Sequence, residues 1–344
     1  MADTQTPPQT KTGITDDGFL TDSWYLAAPS SELEKGQQHR IMMLGEPVVV
    51  GRTPDGEAFA LRDICPHRLV PLSAGKQLET DGEWALQCPY HGWRFGTDGV
   101  CKLMPSLTDG SAYDPSKVKV RRYPIHEANG AVYIYVADNP RLDSAPAVPP
   151  PEFGPLPDKP GFVIHDVFNA HMDDAVVGLM LKEKQFIPTE RGWAIDRHAP
   201  SSNSKLYRWV FGGNVETEIR FQLPGFRWEI ISNEKTRLLT LTCLTPEAPK
   251  RTRITQFTWW TGAPLLNLAV PLAIPMAKKF LRQDGDMVDL QNMGLAHQKA
   301  MLWIDDIDVQ AKWYQRLKRE WTEARTEGRD FANPIEPRVL KWMS

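Results

Sequence analysis

The sequence has 344 residues, enough for a large core and for two domains. Hydrophobic residues make up 41% of it and the formal net charge is −3, so no basic field indicates a nucleic-acid or membrane partner. The first fifteen residues are polar and contain no apolar signal-peptide core. The longest apolar stretch, residues 263–277, is interrupted by three prolines and is too short to span a bilayer. We therefore expect a cytoplasmic protein.

The first half of the chain has the pattern of antiparallel β-structure. After a polar stretch over residues 1–18, which we expect to be a flexible tail, strand-like runs alternate with turn sequences at residues 53–56, 96–99 and 128–130. No convincing helical periodicity interrupts them. The sequence therefore predicts an antiparallel β domain over residues 19–138.

Four candidate metal ligands lie in this domain, in two tight mixed pairs. Cys65 stands two residues before His67, and Cys88 stands three residues before His91, with twenty residues between the pairs. Two thiolates and two imidazoles suit a single zinc ion, or a [2Fe–2S] cluster whose irons are held by the thiolates and by the imidazoles respectively. Zinc fingers usually keep like ligands together, whereas each pair here is mixed. The pattern therefore favours the cluster, with structural zinc as the alternative.

The second half of the chain begins after a proline-rich segment. Residues 139–160 contain eight prolines, a density that favours extended chain, and we place a linker there. Strand-like runs follow at residues 162–169, 194–198, 205–211, 216–223, 226–231, 237–244 and 252–260. Helical patterns follow at residues 263–281, 284–299 and 308–325. The predicted fold class is α+β, an antiparallel β domain followed by a domain, residues 161–344, in which helices wrap an antiparallel sheet.

The segments around the four candidate ligands resemble a known motif. The Rieske motif of ring-hydroxylating and demethylating oxygenases is similar to Cys65-Pro66-His67-Arg68, Leu72-Ser73-x-Gly75 and Cys88-Pro89-Tyr90-His91-Gly92-Trp93-x-Phe95. The spacer between the pairs is a few residues longer than is usual in that family. The resemblance covers about residues 20–335. It implies the terminal oxygenase (alpha) subunit of a Rieske non-haem iron monooxygenase or demethylase, with residues 161–344 as its catalytic domain.

The resemblance also implies cofactors and partners. A [2Fe–2S] cluster on Cys65, His67, Cys88 and His91 would accept electrons from a reductase or ferredoxin. A mononuclear Fe(II) would activate O2 to hydroxylate a small apolar or aromatic substrate, and hydroxylation of a methoxy or N-methyl carbon would give demethylation. In the family the cluster of one subunit serves the iron of its neighbour, so a homotrimer is implied.

The mononuclear iron is the point at which this sequence departs from the family pattern. The family holds that iron with Asp-x-x-His-x-x-x-x-His and a later Asp, which leaves positions open for O2. The motif is expected after Met180, yet residues 181–185 contain no histidine. Asp308, at the start of the last predicted helix, is the candidate carboxylate ligand, with Asp305 as its alternate. Both acids would also complement the positive end of the helix dipole.

Two alternatives to an oxygenase therefore stay open. The nearest histidines, His165, His171 and His198, lack the helical spacing of a ligand pair and are interpreted as structural or pocket-lining. One alternative is accordingly a Rieske electron-transfer protein, or an inactive oxygenase homologue without the mononuclear iron. The other is a zinc-stabilised binding module, which would be colourless.

We predict that the natural polypeptide contains further residues between Met180 and Leu181. The resemblance holds before this junction and again from Arg197 onward, and only the segment that should carry two iron ligands is missing. The intact mass of the protein from its natural source should exceed 39.0 kDa by at least the nine residues of the motif. A mass that matches 39.0 kDa would show a true deletion and would favour the electron-transfer alternative.

Overall fold

The computed structural model describes residues 13–108, 110–139, 145–178, 185–198, 215–298, 301–304 and 308–339. The chain divides into two compact units. One is Asp22–Pro151, and the other combines Met1–Thr21 with Glu152–Ser344. The division at residues 151 and 152 falls inside the segment that the sequence predicts to be a linker, residues 139–160.

The first unit contains three antiparallel sheets. Their strands are β1 Ser23–Pro29, β2 Gln38–Met43, β3 Glu46–Arg52, β4 Ala58–Arg62, β5 Lys76–Thr80, β6 Glu83–Gln87, β7 Arg94–Gly96, β8 Cys101–Leu103, β9 Ile125–Ala128 and β10 Ala131–Val136. The strand orders are β1-β10-β9, β2-β3-β4 and β5-β6-β7-β8. Among the described residues of this unit, helical structure is limited to short 3-10 turns. The predicted antiparallel β domain is confirmed.

One hairpin of this unit shows how the sequence sets the fold locally. Between β3 and β4 the N–H of Gly56 donates to the carbonyl of Thr53 at 2.9 Å, and Gly56 has a φ of 106°. The Thr53 hydroxyl accepts the N–H of Glu57 at 3.0 Å. A glycine in the turn supplies the positive φ that other residues resist. This hairpin aligns Phe59 and Leu61 in the buried core that also contains Cys65.

The second unit is built on one antiparallel sheet of eight strands. These are β11 Phe162–Phe168, β12 Gln185–Thr189, β13 Gly192–His198, β14 Glu216–Gln222, β15 Phe226–Ser232, β16 Arg237–Ala248, β17 Arg251–Thr261 and β18 Arg338–Val339. Their order is β11-β17-β16-β15-β14-β13-β12-β18. The strand predicted at residues 162–169 and five of the six strands predicted over residues 194–260 are found, whereas β12 and β18 had not been predicted. The strand predicted at residues 205–211 and the Met180–Leu181 junction lie outside the described residues.

Three helices accompany this sheet: α1 Met172–Gly178, α2 Leu266–Leu295 and α3 Val309–Glu327. The sequence predicts two helices over residues 263–299, but α2 runs through both. No glycine or proline stands between residues 281 and 284 to end the first of them. In α3 the predicted apolar stripe is buried, since Trp313, Leu317 and Trp321 are at most 3% exposed. The predicted α+β fold, a sheet accompanied by helices after the β domain, is therefore confirmed.

The start of the chain differs from the predicted flexible tail where it is described. The N–H of Thr21 donates to the carbonyl of Gly13, and the N–H of Phe19 donates to the hydroxyl oxygen of Thr15. The ring of Phe19 stacks on His171 of the same unit at 4.9 Å. Residues 13–18 are therefore ordered by contacts that their polar composition does not indicate, while residues 1–12 lie outside the described chain. Within its described part, the chain contains no helix long and apolar enough to cross a bilayer.

Candidate metal centre

The first ligand pair lies in a tight loop after β4. The N–H of Cys65 donates to the carbonyl of Val70, and the N–H of Leu69 donates to the carbonyl of Cys65, each at 2.9 Å. Leu69 has a φ of 59°, in the left-handed region, and its side chain is 72% exposed. The loop reverses the chain within six residues. As a result Cys65 is buried and His67 is exposed.

The second ligand pair lies in a loop of the same form after β6. The N–H of Cys88 donates to the carbonyl of Trp93 at 2.8 Å, and the N–H of Gly92 donates to the carbonyl of Cys88 at 3.1 Å. Gly92 has a φ of 73° and occupies the position that Leu69 occupies in the first loop. Cys88 is buried and His91 is exposed. The two loops therefore repeat one backbone form, with cysteine at its first position.

A buried carboxylate binds the segment that follows the first loop. Asp63 is fully buried and accepts the N–H and the hydroxyl of Ser73 at 2.6 and 2.7 Å, together with Arg40 Nη1 at 3.0 Å. At Gly75 a Cβ would collide with the carbonyl of Gln87, so only glycine lets this segment approach the end of β6 so closely. The Leu72-Ser73-x-Gly75 motif therefore joins the first loop to the strand that leads into Cys88.

The thiols and the imidazoles lie on different sides of the candidate centre. Cys65 and Cys88 belong to one buried apolar cluster and are hydrogen-bonded to each other. Burial, followed by the hydrogen bond to Cys88, raises the pKa of Cys65 to about 11. Without a metal the Cys65 thiol would therefore stay protonated at neutral pH, since a bare thiolate is poorly solvated there.

The two imidazoles face each other at the exposed side. The ring centroids of His67 and His91 are 4.6 Å apart, with an angle of 53° between the ring planes. Desolvation, followed by the charges of His91 and Arg68, lowers the pKa of His67. A lowered pKa favours the neutral imidazole, which is the form that binds a metal.

Trp93 covers one face of this arrangement. Its ring stacks on His67 with a centroid distance of 4.6 Å and an angle of 3° between the planes. Its indole N–H is buried and has no hydrogen-bond partner among the described residues. A buried donor without an acceptor is costly. A group bound at this site that offers an acceptor would satisfy it.

These contacts distinguish between the two metal interpretations. A tetrahedral zinc site needs all four side chains within reach of one ion. In the described ranges, no three His, Cys, Asp or Glu side chains are grouped so that they could hold one ion. A Rieske cluster instead needs two thiolates at one iron and two imidazoles at the other, which is the separation found here. The residues fit a [2Fe–2S] cluster better than structural zinc.

The candidate ligands of a mononuclear iron are not brought together. Asp308 stands at the N-cap of α3, where its carboxylate accepts the N–H of Ile304 at 2.8 Å and no bond joins it to the backbone of the helix. Asp305, its alternate, lies outside the described residues. His165 contacts the Thr255 hydroxyl at 3.1 Å. The described part of the chain therefore does not fit a site with two histidines and one carboxylate.

Two carboxylates that the sequence interpretation passed over are desolvated. Burial raises the pKa of Asp174 in α1 and of Asp284 in α2, while the charge of Arg227 opposes the shift of Asp284. Asp284 lies beside the buried positions Leu281 and Val288 of its helix. A helical wheel of residues 281–288 would have placed this acid on the inner side of α2.

Comparison with known proteins agrees with this geometry. The model of the Rieske [2Fe–2S] domain matches residues 23–124. Chlorophyllide a oxygenase of Arabidopsis thaliana is 30% identical over 210 residues, which are 60% of this chain and 33% of that protein. The oxygenase component of dicamba O-demethylase from Stenotrophomonas maltophilia is 38% identical over 136 residues, 40% of this chain and 37% of that one. The chain thus spans about a third of the length of these relatives.

A solved structure extends the likeness in fold. The crystal structure of apo dicamba monooxygenase superposes with a TM-score of 0.72 at 20% identity, over 90% of this chain and 99% of that one. The two Cys/His loops therefore lie in a Rieske [2Fe–2S] domain, residues 23–124, as their motifs predict. The fold of the chain as a whole is similar to that of dicamba monooxygenase.

We predict opposite effects of two substitutions at the shared left-handed position. Leu69→Gly should stabilise the protein by roughly 0.5–1 kcal/mol, because the relief of left-handed strain exceeds the added chain entropy. Gly92→Ala should destabilise it by roughly 1–2 kcal/mol. Its Cβ would also stand 3.1 Å from Gln87 Nε2 and 3.2 Å from Pro105 Cγ. Urea unfolding of both variants at matched cluster content measures the difference, and loss of stability in Leu69→Gly would contradict it.

Proposed function

We propose that the chain is the terminal oxygenase component of a Rieske-type monooxygenase or an O- or N-demethylase. It would use O2 and electrons from a reductase or ferredoxin to hydroxylate a small apolar or aromatic substrate. The observation that carries the proposal is the pair of matching Cys/His loops, with thiols buried and imidazoles exposed, in a domain that matches the Rieske model. Support comes from relatives named as an oxygenase and an O-demethylase component.

The buried thiols and the exposed imidazoles support one assignment of the ligands. Cys65 and Cys88 would hold the inner iron, and His67 and His91 the outer iron. When bound, the cluster supplies transfer of one electron at a time. The buried cysteine side keeps water from the sulfur atoms, while the exposed imidazole edges shorten the path for electrons to and from a partner. Trp93 keeps the ring of His67 in one orientation by stacking on it.

The mononuclear Fe(II) belongs to this proposal only through the family. The described residues do not fit its ligand set. Asp308 stays our proposed carboxylate, and the two histidines would lie on the segment predicted between Met180 and Leu181. A homotrimer is likewise proposed on the family's arrangement alone.

One observation favours the alternative of an electron-transfer protein or an inactive homologue. His165 is hydrogen-bonded to Thr255, and His171 Nε2 lies 2.9 Å from the carbonyl of Asp17. Both histidines are therefore engaged in structural contacts, and neither replaces the missing pair.

Turnover under ¹⁸O2 with a chemical reductant and a panel of methoxyarenes separates the two functions. Label in the product or in released formaldehyde supports the oxygenase, whereas reversible cluster reduction without any product supports the alternative.

We predict that Cys88→Ser abolishes the cluster, because it removes one of two thiolates at the inner iron. The purified variant should lack the red-brown colour and lose two iron and two sulfide per chain. Cys101→Ser is a matched control, because Cys101 is buried in the same apolar cluster but bonds to the carbonyl of Leu103. The control should keep its colour. A full visible spectrum in Cys88→Ser would overturn the assignment.

We predict that Asp308→Ala leaves the visible spectrum of the cluster unchanged and removes the iron that is not in the cluster, together with turnover. The reason is that an iron site with two histidines and one carboxylate loses its only anionic ligand. Iron and sulfide are counted on the natural full-length polypeptide. Normal turnover by Asp308→Ala would assign the role elsewhere. Asp305 and the desolvated Asp284 would then be the carboxylates to substitute.

A further inference from the structure

The first half of α2 has no buried residue. The helix runs over Leu266–Leu295, and its buried positions are Leu281, Gly285 and Val288, all in the second half. In that second half Arg282 binds Asp166 and Gly285 lies against Phe168, both of β11. Residues 265–280 therefore extend as a segment whose side chains receive little cover from the rest of the described chain.

Large apolar side chains form a stripe along this segment. Their spacing of three, four, four and four residues places them on one helical face. The exposed fractions range from 57% to 80%. The stripe extends for roughly 22 Å at the rise of an α-helix. Its members are Leu265, Leu268, Leu272, Met276 and Phe280.

The other sides of the segment are apolar as well. Over residues 263–277 the only polar side chain is that of Asn267. A helix that pairs with another copy of its own chain keeps a polar outer face. A segment that is apolar all round needs an environment that surrounds it. The hydrocarbon region of a lipid layer provides such an environment, whereas one facing helix covers a single side.

A positive charge follows the apolar stretch at once. Lys278 and Lys279 are exposed, and no ion pair joins either of them to another described residue. No Asp or Glu occurs in residues 248–283. The next cation, Arg282, is already bound to Asp166, Asp286 and Asp289. The two free lysines therefore stand where the apolar segment meets the body of the unit. Lysines near a lipid layer extend toward its phosphates while their stems stay on apolar surface.

We propose that residues 265–280 dock the protein to the surface of an anionic lipid bilayer. The apolar side chains would enter the acyl-chain region of one leaflet, and Lys278 and Lys279 would contact the phosphates. The apolar part, about 22 Å long, is shorter than the roughly 30 Å of a hydrocarbon core, so the segment enters one leaflet and does not span the bilayer. The chain's net charge of −3 does not oppose this, because screening limits the field to about 10 Å and the local charge is positive.

Vesicle flotation of the full cluster-loaded protein tests the proposal. The probes are vesicles of phosphatidylcholine alone and of phosphatidylcholine with 30% phosphatidylglycerol. We expect flotation with the anionic vesicles and at least tenfold less bound protein for Leu268→Glu/Leu272→Glu. Lys278→Gln/Lys279→Gln keeps the apolar stripe, and its affinity for anionic vesicles should fall about tenfold. Tyr113→Glu, at an exposed aromatic of the other unit, should bind normally.

Three outcomes would overturn the proposal. The first is absence of wild-type flotation with anionic vesicles. The second is equal flotation of the wild type and Leu268→Glu/Leu272→Glu, with the visible spectrum showing that both are folded. The third is a wild-type oligomer in sedimentation that dissociates in that variant while no protein floats, which would assign the segment to a contact between copies. None of these results depends on oxygenase activity.

Discussion

Two backbone hydrogen bonds in each ligand loop turn a cysteine into the core and leave a histidine at the surface. The N–H of the cysteine reaches the carbonyl five residues on, and its own carbonyl accepts the N–H four residues on. A thiolate pair and an imidazole pair separated in this way suit two irons of different ligation. The remaining features of the first unit keep the loops in register, above all the buried Asp63 and the close approach at Gly75. The chemistry of the centre thus depends on backbone geometry before it depends on any metal.

The sequence predicts the centre better than it predicts its support. The mixed spacing of Cys65, His67, Cys88 and His91 is enough to favour a cluster, because ligand type and spacing are local properties. Asp63 could not be found in that way, since its three donors come from Ser73 and from Arg40 on another strand. The left-handed conformation of Leu69 could not be predicted for a related reason. Nothing in the residue type indicates a left-handed φ, and only the likeness of the two folded loops reveals it.

In the second unit, alternating patterns identify most strands but not those with short or mixed sequences. Gln185–Thr189 contains Pro188 and pairs with only two residues of β18 on one side, so its local propensity is weak. The helices show the opposite error. Residues 263–281 and 284–299 differ in composition and were predicted as two helices, yet the intervening residues contain nothing that ends a helix. The inward position of Asp284 follows from that continuity, because it continues the register of Leu281.

The short strand Arg338–Val339 has a consequence for handling the protein. It pairs with Gln185 and Phe186 and so covers part of the last long strand of the eight-stranded sheet. An uncovered strand offers unpaired N–H and carbonyl groups to any other chain, and such edges promote association between molecules. Arg338 adds a charge at the same edge. Removing residues 338 and 339 would therefore uncover the edge of β12 and promote aggregation. A fusion partner joined directly at this strand would interfere with its pairing to β12.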